Sequence, residues 1–338
     1  MRIVFMGTPD FAVQSLRRLI EEGCNVVGVV TMPDKPIGRH HDVLQSSPVK
    51  KFAQEKGIPV LQPEKLRDET FLAELKALKP DLQIVVAFRM LPQVVWALPP
   101  LGSFNLHAAL LPQYRGAAPI NWAIINGDKE TGITTFFLDE QIDTGRIILQ
   151  ERTPIAPTDC AEDVHDKLMM QGAELVIKTV RLIESGEAKA TDQSLFMTDE
   201  PLRPAPKIFK ETCRIKWQEH TLESAYNFIR GLSPYPAAWT PVVANGKETE
   251  MKIFKATASP VPSQGGEKQS LDEVNGKEAA CSPSPLERDG LRLVPLERDG
   301  VRLSLPGGYL SLEEVQLAGK KRMPIADLLR GTKIEIIR

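Results

Sequence analysis

Asn105 and His107 stand two residues apart in the run Ser103-Phe-Asn-Leu-His. Successive strand side chains point to opposite faces, so an amide and an imidazole share one face while Phe104 and Leu106 take the other. They sit near the end of an apolar strand, where an open α/β sheet binds its ligands. Thirty-six residues past His107, Leu-Asp-Glu-Gln-Ile-Asp-Thr-Gly supplies a carboxylate, Asp143, in a turn after a second apolar run. An amide donor, an imidazole and a carboxylate suffice to stabilise an oxyanion and move a proton during acyl transfer. Taken alone, Asn-x-His also fits a strand-ending asparagine and a hydrogen-bonded core histidine, and Asp143 also fits a turn residue ahead of Gly145. Asp139 is the nearest competing carboxylate. His40, His41, His165 and His220 read as surface or helix-face residues, although the His40-His41 pair could meet a phosphate.

The elements that must position these groups alternate. Residues 2–6, 25–31 and 81–87 read as buried strands, and 10–22, 48–57 and 68–78 as helices. After the Asn105 strand come a helix near 119–127, a strand over 131–138 and a long helix near 159–185. Buried strands alternating with helices predict a Rossmann-like, doubly wound parallel sheet. Gly7-Thr-Pro-Asp lacks Gly-x-Gly-x-x-Gly, so no dinucleotide site is indicated. The sheet domain is expected over 1–187. Residues 188–206 lack periodicity, contain three prolines and read as a surface linker. Beyond it, short runs at 240–244, 250–256, 291–294, 301–305, 309–317 and 333–338 predict a small β-barrel domain over 207–338. Residues 257–284 are rich in Pro, Ser, Gly and charge and read as a flexible loop. A decapeptide then repeats, Pro285-Leu-Glu-Arg-Asp-Gly-Leu-Arg-Leu-Val followed by Pro295-Leu-Glu-Arg-Asp-Gly-Val-Arg-Leu-Ser. Two copies are too few for a solenoid, and Asp-Gly signals a hairpin turn.

Composition sets the outer limits. With 338 residues, 42% of them apolar and 25% charged, the chain can build two globular domains. No leader and no 18-residue apolar stretch is evident, so a cytoplasmic protein without a membrane span is expected. Cys24, Cys160, Cys213 and Cys281 are scattered, which predicts neither a metal site nor a disulfide framework. The net charge of −2 excludes a uniformly basic nucleic-acid binder. Residues 205–338 nevertheless hold 20 Lys/Arg against 17 Asp/Glu, which permits a local basic face.

Asn105-Leu-His107, Leu110-Leu-Pro112-Gln-Tyr114-Arg115-Gly116-Ala-Ala-Pro119 and Asp143-Thr-Gly145 together resemble the 10-formyltetrahydrofolate-dependent formyltransferase family. Further segments match in order. They include Ile3-Val-Phe-Met-Gly7-Thr-Pro9, Pro33-Asp34-Lys-Pro36-Ile-Gly38-Arg39, Ser47-Pro48-Val49-Lys50, Gly127-Asp-Lys-Glu-Thr131-Gly132, Arg230-Gly-Leu-Ser233-Pro234-Tyr-Pro236-Ala-Ala-Trp239 and Gly319-Lys-Lys-Arg-Met323. Nearly the whole chain is covered, apart from a stretch near 258–300.

The resemblance implies 10-formyltetrahydrofolate as formyl donor, the α-amino group of methionyl initiator tRNA as acceptor, no metal, and a monomer in a bacterial cytoplasm. It makes Asn105, His107 and Asp143 catalytic, with Asp143 either orienting His107 or acting as base. It implies a folate pocket along Phe88, Arg89, Met90 and Leu91 and along Ala109, Leu110, Leu111 and Pro112. It makes the second domain an OB-like barrel that helps hold tRNA, with Arg39, Lys207, Lys210, Lys320, Lys321 and Arg322 as phosphate contacts. The chain departs from the family pattern in four places: Ala87-Phe-Arg-Met-Leu-Pro is shorter than usual, Ala109 replaces a serine, His40-His41-Asp-Val replaces a basic run, and Lys216 replaces an acid. Two other readings remain open, a formyltransferase for a small amine and a noncatalytic RNA-binding protein.

Overall fold

The structure is a computed structural model describing residues 1–37, 43–260, 293–296 and 300–337. Its residues divide into two compact units, Met1–Phe209 and Lys210–Arg338.

The first unit opens with β1 (Arg2–Gly7), α1 (Asp10–Glu21), β2 (Asn25–Val30) and a small antiparallel pair, β3 (Lys35–Ile37) with β4 (Val43–Gln45). It continues through α2 (Pro48–Glu55), β5 (Val60–Leu61), α3 (Glu69–Ala77), β6 (Leu82–Val86) and α4 (Gln93–Trp96). Then come β7 (Ser103–His107), α5 (Pro119–Ile125), β8 (Glu130–Phe137), β9 (Ile147–Pro154) and α6 (Ala161–Glu184). The helices start where local chemistry stops the strands. Ser47 accepts from Lys50 N ahead of Pro48, which suits the first turn of α2, and Asp68 caps α3 through Phe71 N.

One sheet, ordered β5-β2-β1-β6-β7-β8-β9, runs through the unit. Its alternating side chains feed two cores. Ile3, Phe5, Ile84, Phe104 and Leu106 pack with residues of α1, α2 and α6, while Val4, Met6, Val30 and Val85 pack with Phe71, Leu75 and Val95 of α3 and α4. The sheet is therefore doubly wound, as expected, but it is mixed rather than wholly parallel: β8 runs against both β7 and β9. The connection between β7 and β8 carries only the seven-residue α5, and the chain re-enters the sheet from the end at which it left. β9, which the sequence pattern did not reveal, completes the edge.

The second unit contains α7 (Leu222–Leu232), β10 (Ala238–Ala244), β11 (Lys247–Pro260), β12 (Leu293–Leu296), β13 (Gly300–Leu305), β14 (Gly308–Leu317), β15 (Met323–Pro324), α8 (Ile325–Leu329) and β16 (Ile334–Ile336). The strands pair antiparallel in the order β12-β13-β14-β11-β10-β16, with β15 beside β14. Among the described residues this is a half-barrel with β12 and β16 at its ends. The strand readings hold within a few residues. The sequence reading missed α7, although Thr221 and Ser224 form a reciprocal capping box at its start. Arg39, His40 and His41, residues 261–284 of the expected loop and the first decapeptide up to Arg292 lie outside the described residues, while 257–260, read as the start of that loop, extend β11. The parts of the repeat that are described pair as β12 with β13, Val294 opposite Arg302 and Leu296 opposite Gly300.

Candidate active site

Asn105 pairs in the sheet with Val85 and Phe136, and His107 with Thr134. Phe104 and Leu106 enter the α1/α6 core, so Asn105 and His107 point onto the α3/α4 face, as strand alternation requires. Both line a cavity of about 700 Å³, together with Val85, Trp96 and Leu138. Asn105 is half-buried, and its amide hydrogen-bonds to no described residue. His107 is almost wholly buried at 6% exposure.

Two contacts orient the imidazole. His107 Nε2 lies 2.9 Å from the Tyr114 carbonyl oxygen. A carbonyl only accepts, so Nε2 carries a proton and donates it, which leaves Nδ1 as the nitrogen able to gain or lose one. Nδ1 faces Asp143 Oδ2 at 3.8 Å. The same carboxylate oxygen accepts from Gly116 N at 2.9 Å. Because β8 runs antiparallel, its end lies beside the start of β7, where Leu138 N donates to Ser103 O at 2.8 Å. The loop after β8 folds back over the sheet face, and Leu138, Asp139, Gln141, Ile142 and Asp143 all join the cavity wall. Asp143 sits at φ 56°, a left-handed conformation that aspartate tolerates better than most residues. A Cβ at Gly145 would fall 1.7 Å from the Phe137 carbonyl oxygen, which accounts for the glycine of Asp-Thr-Gly. Asp139 is used differently. It accepts from Gln141 N at 3.0 Å and from Thr144 Oγ1 at 2.8 Å, as a turn-forming residue does.

The segment read as a linker is an ordered part of this site. Tyr114 N donates to Arg203 O at 2.7 Å, Ala205 N to Arg115 O at 2.8 Å, and Ala117 N to Ala205 O at 2.7 Å. Gly116 permits that approach: its φ is 128°, and a Cβ there would lie 2.4 Å from Ala205 O. The Tyr114 hydroxyl donates to Asp128 Oδ2 at 2.6 Å, and Arg203 pairs with Asp128 at 2.7 Å. Burial, then the Asp128 hydrogen bond, pushes the Tyr114 phenol above its ordinary pKa. Gln193, in the same segment, donates to the carbonyls of Asp143 and Gly145 at 2.9 and 2.8 Å. Prolines and a lack of periodicity hid this packing, because backbone pairing to a distant loop leaves no pattern along the chain.

The other sequence-predicted residues divide. Phe88, Arg89, Met90 and Leu91 line the cavity, just after β6. Arg89 donates to the carbonyls of Pro63 and Glu64, and burial holds its guanidinium below the usual arginine pKa. Ala109, Leu110, Leu111 and Pro112 are not in the wall; Ala108 is. The chain beyond β7 stays alongside β8, where Thr134 Oγ1 donates to Ala109 O at 2.6 Å and Gln150 Nε2 to Leu111 O at 2.9 Å. Ala109 and Leu111 are consequently core residues. Phe11 and His165 line the cavity and were not anticipated; His165 stacks edgewise on Phe11.

Of the six expected phosphate contacts, Arg39 lies outside the described residues. Lys207 sits over the Phe209 ring in the first unit. In the second unit Lys210 pairs with Glu250 at 2.8 Å and Arg322 with Glu314 at 2.6 Å. Lys320 donates to Thr332 Oγ1 at 3.4 Å, and Lys321 is exposed beside it.

A strand-borne amide, an imidazole and a neighbouring loop carboxylate line one cavity, in a chain whose sequence matches the formyltransferases. The formyl transferase family model matches residues 1–180, and the model of the formyl transferase C-terminal domain matches 207–333. Methionyl-tRNA formyltransferase of Parabacteroides distasonis is 55% identical over 335 residues, covering 98% of this chain and 96% of the relative. That of Flavobacterium johnsoniae is 45% identical over 331 residues, covering 98% of this chain and 96% of the relative. The chain belongs to the methionyl-tRNA formyltransferase family. Among solved structures the fold resembles WlaRD, a sugar 3N-formyl transferase, with TM-score 0.61 and 19% identity over 95% of this chain and 99% of that one. It also resembles HypX from Aquifex aeolicus, with TM-score 0.60 and 20% identity over 97% of this chain and 47% of that longer one.

Proposed function

We infer that this chain transfers the formyl group of 10-formyltetrahydrofolate to the α-amino group of methionyl initiator tRNA. The observation that carries the reading is the convergence of Asn105, His107 and Asp143 on one cavity, in a chain 55% identical to a methionyl-tRNA formyltransferase. A cavity of about 700 Å³ with an apolar wall and a few polar groups suits a flat heterocycle. We assign Phe88, Arg89, Met90 and Leu91 to the folate side of that wall.

In this reading the amine attacks the formyl carbon, negative charge grows on the formyl oxygen, and tetrahydrofolate leaves. The Asn105 amide is the donor free to face that oxygen, and donors aimed at developing charge commonly provide the largest catalytic contribution, while His107 is held by Tyr114 O with Nδ1 towards Asp143. Asp143 faces Nδ1 at 3.8 Å, where its charge stabilises positive charge that develops on the ring in the transition state. Its own position is held by Gly116 N–H. The tRNA contacts are part of the same proposal: Arg39, Lys207, Lys210, Lys320, Lys321 and Arg322 supply salt-dependent phosphate attraction with little sequence information. Lys210 and Arg322 must exchange Glu250 and Glu314 for phosphate to do so. A monomer in a bacterial cytoplasm completes the proposal, and light scattering of the pure protein reads the first part.

The deciding experiment supplies pure protein with 10-formyltetrahydrofolate and, in separate reactions, methionyl initiator tRNA, methionyl elongator tRNA, a nucleotide-linked amino sugar and glycinamide ribonucleotide. Formylation confined to the initiator tRNA supports the reading. Formylation of a small amine instead overturns the acceptor, and no formylation of any acceptor overturns the activity.

A further inference from the structure

Resting on the formyl-transfer reading above, we propose that Gln193 is a positioning residue of the reaction, its amide holding the Asp143 turn against His107. Gln193 lies between the two segments matched by the family models, 1–180 and 207–333. It is buried to 4% exposure, and its neighbours set its direction. Thr191 and Ile147 exchange backbone hydrogen bonds at 2.8 and 2.7 Å, and Asp192 caps the short 3₁₀ turn of Gln193–Phe196 by accepting from Ser194 N at 2.8 Å.

A primary amide offers two N–H donors and a carbonyl oxygen with two lone pairs. Gln193 uses all of them. Nε2 donates to Asp143 O and Gly145 O, the two carbonyls that bracket Thr144. Oε1 accepts from Arg115 Nη2 at 2.7 Å and Nε at 3.2 Å. Arg115 directly precedes Gly116, whose N–H binds the Asp143 carboxylate, and directly follows Tyr114, whose carbonyl binds His107. One amide thus ties the backbone under the carboxylate to the loop whose Gly116 N–H holds that carboxylate. Asp143 needs such a clamp because its backbone is left-handed and its loop otherwise spans an open cavity wall. No other side-chain type of this size combines two donors with an acceptor, so Gln193 acts through geometry and touches neither substrate.

Gln193→Met keeps the length and removes all four hydrogen bonds. Displacement of a reacting group by about 1 Å can cost on the order of 100-fold. The rate of the chemical step should therefore fall about 10- to 100-fold, with KM for both substrates within about twofold. In an Asp143→Asn background, Gln193→Met should cause little further loss, because a residue acting only through Asp143 has nothing left to position. An unchanged rate in the folded single variant, or losses that multiply in the double variant, overturns the proposal. Where the methionine variant does not fold, Gln193→Glu carries the same expectations, since it keeps the Arg115 partner and offers no N–H. Hydrogen exchange at 139–145 needs no turnover. It should quicken in either variant, and a wild-type exchange rate there overturns the clamp even if formyl transfer itself proves absent.

Discussion

Replacing Asp143 with asparagine isolates the charge of the carboxylate from its shape. The side chain keeps its volume, and an amide oxygen can still accept from Gly116 N–H, now 2.9 Å from Asp143 Oδ2. What changes is the field at His107 Nδ1, 3.8 Å from the same oxygen. Two unit charges at that separation attract by about 4 kcal/mol where the effective dielectric is near 20. Each 1.36 kcal/mol of barrier is about tenfold in rate, so full loss of the attraction would cost roughly three decades. Asp143 retains 14% exposure, which lets water screen part of it and sets the lower end of the range. Single-turnover quench kinetics, with both substrates saturating, should show a rate about 10²- to 10³-fold below wild type and KM values close to wild type. A rate within threefold of wild type across pH 6 to 9 would refute the electrostatic role and leave Asp143 as the acceptor that holds Gly116.

His107→Ala should lower the same single-turnover rate by about 10²- to 10⁴-fold. Asn105→Ala should raise its barrier by on the order of 3 kcal/mol, and a wild-type rate in either folded variant removes that residue from the chemistry. Gly116→Ala places a Cβ 2.4 Å from Ala205 O at a φ of 128°, so it should destabilise the first unit by about 1–3 kcal/mol and reduce activity. A thermal midpoint equal to wild type would show that the loop and the 203–205 segment can separate freely. In the second unit, burial holds the His220 imidazole below its ordinary value of 6.5, with Glu219 opposing the shift. A depressed folded-state pKa contributes stability above pH 6.5 that is lost as pH falls through the folded value. Denaturation midpoints measured from pH 7.5 down to 5 should therefore decline less steeply in His220→Gln, and parallel curves would discard the assignment.

Much was legible because it depends on neighbours in the chain. The apolar runs at Ile3–Met6 and Leu82–Val86 announced buried strands, and Asn105 and His107 were assigned to one face by alternation alone. Ser47-Pro48 and Asp68 mark helix starts through hydrogen bonds that span three residues. The carboxylate was found as the Asp of Asp-Thr-Gly, and the structure puts Asp143, rather than Asp139, beside the imidazole. The half-barrel strands were recognisable from short runs between turn residues.

The rest depends on partners far apart in sequence. The reversal of β8 was not legible, because a helix between two strands reads the same in sequence whichever end the next strand enters from. That reversal decides where the Asp143 loop begins, and hence that it must fold back over the Asn105 face. The resemblance puts Leu110-Leu-Pro112 in the pocket, yet the chain turns beside β8 there and buries Ala109 and Leu111 instead. Residues 188–206 read as a linker because periodicity reports a buried face, and this segment is held by single contacts: Gln193 to Asp143, Arg203 to Tyr114, Ala205 to Gly116. The sequence by itself determined which elements bear the candidate groups and that Asn105 and His107 share a face, since alternation and burial patterns are written locally. Only the tertiary structure decided how the imidazole and carboxylate are aimed, since that rests on a carbonyl seven residues from His107 and on a backbone N–H and an amide 27 and 50 residues from Asp143.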